Sequence, residues 1–145
     1  MICAFRTSPG RVLPRHRILR RVFRYSLIRV KKVDLVALPD FLIGAMENMD
    51  CITFRGGRLL IDPNNATRSS LVRAAEIVMH FSAHMWFGNL VTMDWWNGLW
   101  LKESFATFMA NLALDRWQPD WNVWTSFATT RMAAMSLDSQ TARNQ

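Results

Sequence analysis

The chain has 145 residues, half of them hydrophobic, enough for one domain with its own core. No apolar run approaches the roughly 20 residues that span a bilayer, so no transmembrane segment is expected. The net charge of +7 is concentrated: ten of the eighteen Lys and Arg lie in residues 1–33 among no acids, while the remainder carries eight basic and eleven acidic residues, which argues against a basic partner-binding surface on the main body.

Residues 1–32 form a basic arm that includes Arg6, Arg11, Arg20, Arg21, Lys31 and Lys32. Pro9-Gly10 and Pro14 break its start, no strand pattern is visible, and poor order is expected. Three readings of the arm stand side by side. A targeting peptide fits the absence of acids and the near-helical spacing of Ile18, Leu19, Val22, Phe23 and Leu27. Charge could instead attract nucleic acid or an anionic membrane surface, although no nucleic-acid motif supports this and no such partner is expected. A leader without a role is the reading a charge run alone favours. Cys3 and Cys51 are far apart and show no framework spacing, which reads as two reduced thiols and a cytoplasmic setting.

From Val33 the pattern changes. Residues 33–38 predict a short strand stopped by Pro39, and 41–48 and 51–55 predict further extended segments. Gly56-Gly57 predicts a turn, Leu59 to Ile61 one more strand, and Asp62-Pro63-Asn64-Asn65 a loop. Ser69 or Ser70 is the expected cap of a helix from Leu71 through Trp86, with Gly88 as its stop. A second helix is predicted from Trp100 to Trp117, ended by Pro119, and a third from Asp120 toward Met135. Strands first and helices afterwards give an α+β fold.

His80 and His84 are four residues apart, so on a helix both imidazoles share one face about 6 Å apart along the axis, where they can hold one metal ion. Glu103 sits on the next predicted helix, which a loop can bring back against the pair. Two His and one Glu, with a fourth position left to water, is the ligand set of a catalytic rather than a structural zinc site. Glu76 shares a face with His80 and reads as a solvated helix acid rather than a fourth ligand. Asp94 is a candidate to orient a ligand from outside. The aromatics Trp86, Phe87, Trp95, Trp96 and Trp100 read as core rather than as a substrate stack.

Residues 76–109, from Glu-Ile-Val-Met-His through Met-Trp-Phe-Gly-Asn-Leu-Val-Thr-Met-Asp-Trp-Trp to Lys-Glu-Ser-Phe-Ala-Thr-Phe-Met, resemble the zinc-binding segment of the aminopeptidase N family, whose pattern is H-E-x-x-H, eighteen residues, then Glu. Gly44-Ala45-Met46-Glu47-Asn48 resembles the same family's G-A-M-E-N motif, and the likeness spans roughly residues 33–135. It implies part of a thermolysin-like gluzincin domain in residues 33–145, holding one Zn²⁺ on His80, His84 and Glu103. It further implies a metallopeptidase that removes N-terminal residues from peptides. Glu47 would take the substrate's free α-amino group, while Gly44, Ala45, Met46 and Asn48 would line the peptide backbone on an edge strand.

The pattern breaks at Phe81, which stands where the family has the glutamate that takes a proton from metal-bound water. No other residue is a certain catalytic group. Gly98 stands where an acid is common, and the only tyrosine, Tyr25, precedes the motif, whereas the family's intermediate-stabilising tyrosine follows it. Members of the family are several times longer, so a fragment is expected. Its uncovered apolar surface invites association. Reduced activity, or zinc and peptide binding without turnover, is the expectation.

Overall fold

In the computed structural model, the described residues are 6–7, 11–12, 33–62 and 65–142. Two very short strands, β1 (Arg6–Thr7) and β2 (Arg11–Val12), pair antiparallel with Arg6 opposite Val12. The sequence shows no strand pattern there. The poor order expected of the rest of the arm, and its three readings, lie outside the described residues.

The body opens with a three-stranded sheet. β3 (Asp34–Leu38) runs parallel to β5 (Cys51–Arg55), with Leu35 opposite Ile52 and Ala37 opposite Phe54. β4 (Ala45–Met46) lies antiparallel on the other side of β5, Ala45 facing Phe54 and Met46 facing Thr53. Alternation along these strands puts Leu35, Ala45, Ile52 and Phe54 into the core. Of the extended segment expected over 41–48 only Ala45–Met46 pairs as strand. The chain before it is instead held by Arg55, whose guanidinium donates to the carbonyls of Phe41 and Leu42.

Gly56-Gly57 does not make a turn but starts a single helical turn, α1 (Gly56–Leu59). This corrects the strand expected at Leu59 to Ile61: Leu59 is buried at the end of α1, and Leu60 points outward. The loop expected at 62–65 is present at its described ends, where the Asp62 carbonyl accepts from the backbone N–H groups of Asn65 and Ala66.

Helix α2 (Arg68–Ala83) begins three residues earlier than expected. Thr67, not Ser69 or Ser70, is its cap: its backbone is extended, and its hydroxyl accepts from the Ser70 N–H at 3.2 Å. The helix stops at Ala83, before Trp86, and a tight turn follows in which Gly88 has φ +133°. After a 3₁₀ turn at Trp96–Gly98 comes α3 (Leu99–Trp117), which ends ahead of Pro119 as expected. Pro119–Trp121 forms a second 3₁₀ turn, so α4 (Val123–Ala142) starts later than Asp120 and runs past Met135.

Helices α2 and α3 pack along one another through small side chains. Ala75 and Ala83 of α2 and Ala106, Ala110 and Ala113 of α3 are all at most 2% exposed. Small side chains let helix backbones approach closely, and Ala75, Ala110 and Ala113 share the core with the larger Val78, Met79, Leu114, Phe54 and Ile52. The result is an α+β domain with a small sheet at one side of a helical layer. The aromatic cluster divides: Trp86 is core, at 5% exposure, whereas Trp95, Trp96 and Trp100 stand 65–79% exposed around the start of α3. The expectation that all five are core is therefore wrong. No described helix is long and apolar enough to cross a membrane.

Candidate metal centre

The alanine contact between α2 and α3 decides the site. It brings Glu103, on the first turns of α3, against the last turn of α2, where His80 and His84 share a face. The Nε2 atoms of the two histidines are 3.0 Å apart, and Glu103 Oε2 lies 3.4 Å from each. A tetrahedral ion with bonds of about 2.0–2.2 Å sets neighbouring ligand atoms roughly 3.3–3.5 Å apart, so the triangle has the size of one face of such a site. Among the described residues this is the one cluster of three ligating groups close enough to share an ion.

The hydrogen bonds on the far side of each ring fix which nitrogen faces inward. His84 is 1% exposed, and its Nδ1 lies 2.7 Å from the carbonyl oxygen of Phe87, which can only accept. His84 Nδ1 therefore carries the proton. Thr107 spends its hydroxyl proton on the carbonyl of Glu103 at 3.0 Å, so at 3.2 Å it accepts from His80 Nδ1. Both neutral rings then turn unprotonated Nε2 atoms toward each other. Two lone pairs at 3.0 Å repel unless a cation sits between them. Burial, and next the proximity of His84, push the His80 pKa down against the pull of Glu103 and Glu47, so a proton is a poor candidate for that cation. Two imidazole nitrogens and a carboxylate oxygen fit a divalent metal instead, with a further position open.

Gly88 belongs to the same arrangement. A Cβ there would come within 3.2 Å of His84 Nδ1, and φ +133° is a conformation that side chains resist. The turn it makes, with Gly88 N–H donating to Val91 and Asn89 N–H to His84, brings the Phe87 carbonyl onto the ring. Thr107 is held in turn by Asn111, whose side chain donates to the Thr107 carbonyl at 2.9 Å.

The strand motif comes close to this centre through two side chains of the helical layer. Asn89 donates to the Glu47 carbonyl at 2.8 Å, and Lys102 Nζ lies 3.0 Å from Glu47 Oε1. Burial alone would raise the Glu47 pKa, but the Lys102 hydrogen bond, a backbone N–H and the Lys102 charge act against it, and the carboxyl is held below its ordinary value. For Lys102 burial acts downward, and Glu47 and then Glu103 outweigh it upward, so the pair is charged on both sides. Gly44 and Ala45 lie at the edge of the sheet, as expected for a backbone-pairing strand, with open space where a Gly44 side chain would be. Met46 and Asn48 are exposed, Asn48 donating to the Thr53 hydroxyl.

Phe81 lies between the sheet and the two histidines. Its ring packs edge-on against Phe54 and His80, with centroids at 5.9 and 5.2 Å. It also lines a cleft of ≈ 740 Å³ together with His80, Thr107, Asn111, Glu76 and Trp121. Glu76 is no ligand, but neither is it a solvated acid: it is partly buried in the wall of this cleft, 3.7 Å from Arg73, and its pKa is raised because burial outweighs Arg73. Asp94 is exposed, and the nitrogens it was expected to orient are taken by Thr107 and Phe87. An acid at position 98 would require Met93 to give by a few tenths of an ångström, since a Cβ there lies 3.1 Å from Met93 Cβ.

Lys102, Thr107 and Asn89 do not stand out in the sequence. The signal for Thr107 is its place one helical turn after Glu103, on the same face. Lys102 invites suspicion only as the neighbour of a ligand.

The peptidase family M1 domain matches residues 19–145, and so reaches into the basic arm beyond the segment where the motifs lie. Aminopeptidase M1-C of Oryza sativa subsp. japonica is 50% identical over 109 residues, which cover 75% of this chain and 12% of that protein. Aminopeptidase 2, mitochondrial, of Saccharomyces cerevisiae is 51% identical over 109 residues, 74% of this chain and 11% of its own length. Aminopeptidase N of Lactococcus lactis subsp. cremoris is 52% identical over 103 residues, 71% and 12%. The chain thus spans about an eighth of the length of the curated relatives it matches.

Proposed function

Since the chain belongs to peptidase family M1, we propose that it is a piece of the catalytic domain of a zinc-dependent aminopeptidase, impaired at the proton-transfer step. The observation that carries this reading is the triangle of His80 Nε2, His84 Nε2 and Glu103 Oε2, with both imidazoles turned metal-ready by their Nδ1 partners. Bound there, zinc supplies Lewis-acid polarisation of the scissile carbonyl and of a water. Two His and one carboxylate with an open position is a ligand set that catalytic zinc sites use.

The chain's own groups supply the rest. Glu47 receives the α-ammonium of a peptide, restricting attack to the first residue; its backbone is held near the centre by Asn89, and its carboxyl, paired with Lys102 in the absence of ligand, lies below its ordinary pKa. The strand at Ala45, at the edge of the sheet among the described residues, offers backbone groups to an extended peptide. Gly44, Ala45, Met46, Glu47 and Asn48 are on this reading the substrate-binding set.

Position 81 is where the reading turns toward reduced activity. Phenylalanine accepts no proton, and its ring packs against Phe54 on one side and the rings of His80 and His84 on the other. General-base assistance is typically worth about 10²–10⁴-fold, so its loss leaves a protein that binds zinc and peptide and turns over little. Binding without turnover is the second reading, and it differs from the first only in what the Phe81 site can be made to do.

The test is zinc per chain on purified protein, with His84→Ala as control, followed by Phe81→Glu assayed on amino-acid amides. About one zinc, lost in the control, and turnover gained by Phe81→Glu support an aminopeptidase site short of its base. Zinc without regained turnover supports the binding module. No zinc in the parent chain overturns both.

A further inference from the structure

The carboxylate assigned to the substrate's ammonium already holds an ammonium. Lys102 Nζ lies 3.0 Å from Glu47 Oε1 and 3.5 Å from Glu103 Oε1, so it bridges the amine-receiving group and a metal-ligand carboxylate. Both partners of the Glu47 pair are largely shielded, their side chains 13% and 19% exposed, which leaves little room for water to loosen it. Nor is the lysine a loose surface chain. Its stem passes over Gly88, with Cδ 3.5 Å from where a Cβ would stand, and it walls an apolar cavity of ≈ 230 Å³ with Phe87, Met93, Leu101 and Phe105.

Resting on the reading of Glu47 given above, we propose that Lys102 is a specificity-determining internal cation: it occupies Glu47 in the absence of ligand, and a peptide's free N-terminus binds only by displacing it. A Lys ammonium and a peptide α-ammonium present the same three donors and the same charge, and both cannot share one shielded carboxylate without like-charge repulsion. Lys102 thereby weakens binding of every free amine, and it keeps Glu47 partnered when none is present. Removing it raises the share of chains whose Glu47 is free. If Lys102 occupies Glu47 nine-tenths of the time, its removal raises apparent affinity for an amine about tenfold.

The experiment titrates zinc-loaded protein with leucinamide and with N-acetyl-leucinamide, followed by NMR, in the parent, Lys102→Met, Lys102→Gln and Glu47→Gln. Methionine keeps the apolar stem beside Phe87 and Phe105, and glutamine keeps a neutral donor toward Glu47, so one variant serves if the other folds poorly. Leucinamide binding about tenfold tighter in either folded variant, with the acetylated probe unchanged, is the expected result. Leucinamide binding unchanged or weaker in both overturns the proposal and makes Lys102 a clamp that fixes the strand to α3. The reading of Glu47 fails separately: it falls if the parent and Glu47→Gln do not distinguish leucinamide from its acetylated form.

Discussion

The ring of Phe81 stands edge-on to that of Phe54, centroids 5.9 Å apart and planes at 78°. Phe54 is fully buried at the centre of the sheet, and this contact extends the core across the face of α2 toward His80. Position 81 is therefore a packing position as well as, on the function proposed above, the place a base would occupy. Phe81→Glu exchanges that ring for a carboxylate beside an apolar partner, and we expect a stability loss of about 1–3 kcal/mol. Thermal melts check this. Turnover of an amino-acid amide by the zinc-loaded variant is expected to exceed that of the parent by about 10²-fold or more, if the rest of the site is intact.

The tautomer of His80 depends on one hydroxyl. Thr107 accepts from His80 Nδ1 because it donates to the Glu103 carbonyl. Thr107→Val keeps the shape and removes the acceptor, and zinc affinity is expected to fall about 10–100-fold, the usual cost of losing a partner behind a ligand. Thr107→Ser keeps the hydroxyl and should bind zinc like the parent. Competition with a chromophoric chelator reads both. Equal loss in the two variants would mean that Thr107 matters for helix packing and not for the ring.

Gly88 gives a third prediction. Its φ of +133° and the 3.2 Å that would separate an added methyl group from His84 Nδ1 act together. Gly88→Ala is expected to cost about 1–3 kcal/mol, as strained positions do, and to weaken zinc binding because the turn presenting the Phe87 carbonyl must shift. A melt and a zinc titration separate the two effects: destabilisation with undiminished zinc affinity would show that the His84 ring is fixed by something other than this turn.

The grouping of His80, His84 and Glu103 is legible in the sequence because its geometry is local. Helical spacing aligns His80 with His84, and a helix–loop–helix return is enough to bring Glu103 back. The parallel pairing of β3 with β5 is not legible, since β4 comes between them in the chain and nothing in the alternation of hydrophobic residues states which strand neighbours which. Leu59 to Ile61 reads as a strand because a short apolar run suits either element, and burial of Leu59 under the sheet settles it as the end of a helix. Size alone places Trp95, Trp96 and Trp100 in the core. They are instead exposed, in and around the 3₁₀ turn at Trp96–Gly98. The Glu47–Lys102 pair, 55 residues apart, follows only from the packing of strand motif and helix.

Glu76 offers a test that needs no metal. Its carboxyl is partly buried in the wall of the cleft, and burial raises its pKa further than Arg73 can lower it. The folded chain thus holds the Glu76 proton to higher pH than the unfolded chain does. Between the two pKa values the folded state binds more protons, so this group's contribution to stability falls as pH rises through that window. Above it, the ionised carboxylate is a constant burden. Glu76→Gln removes the charge and keeps the shape, and Arg73 is exposed enough to turn to solvent. The variant is expected to match the parent near pH 4 and to exceed it toward pH 7 by about 1 kcal/mol or less, a range typical of single polar changes. Urea midpoints of both proteins across that range give the difference directly. A parent that becomes the more stable of the two as pH rises would mean that the Arg73 pair outweighs burial, and that Glu76 is anchored in the cleft as a charge.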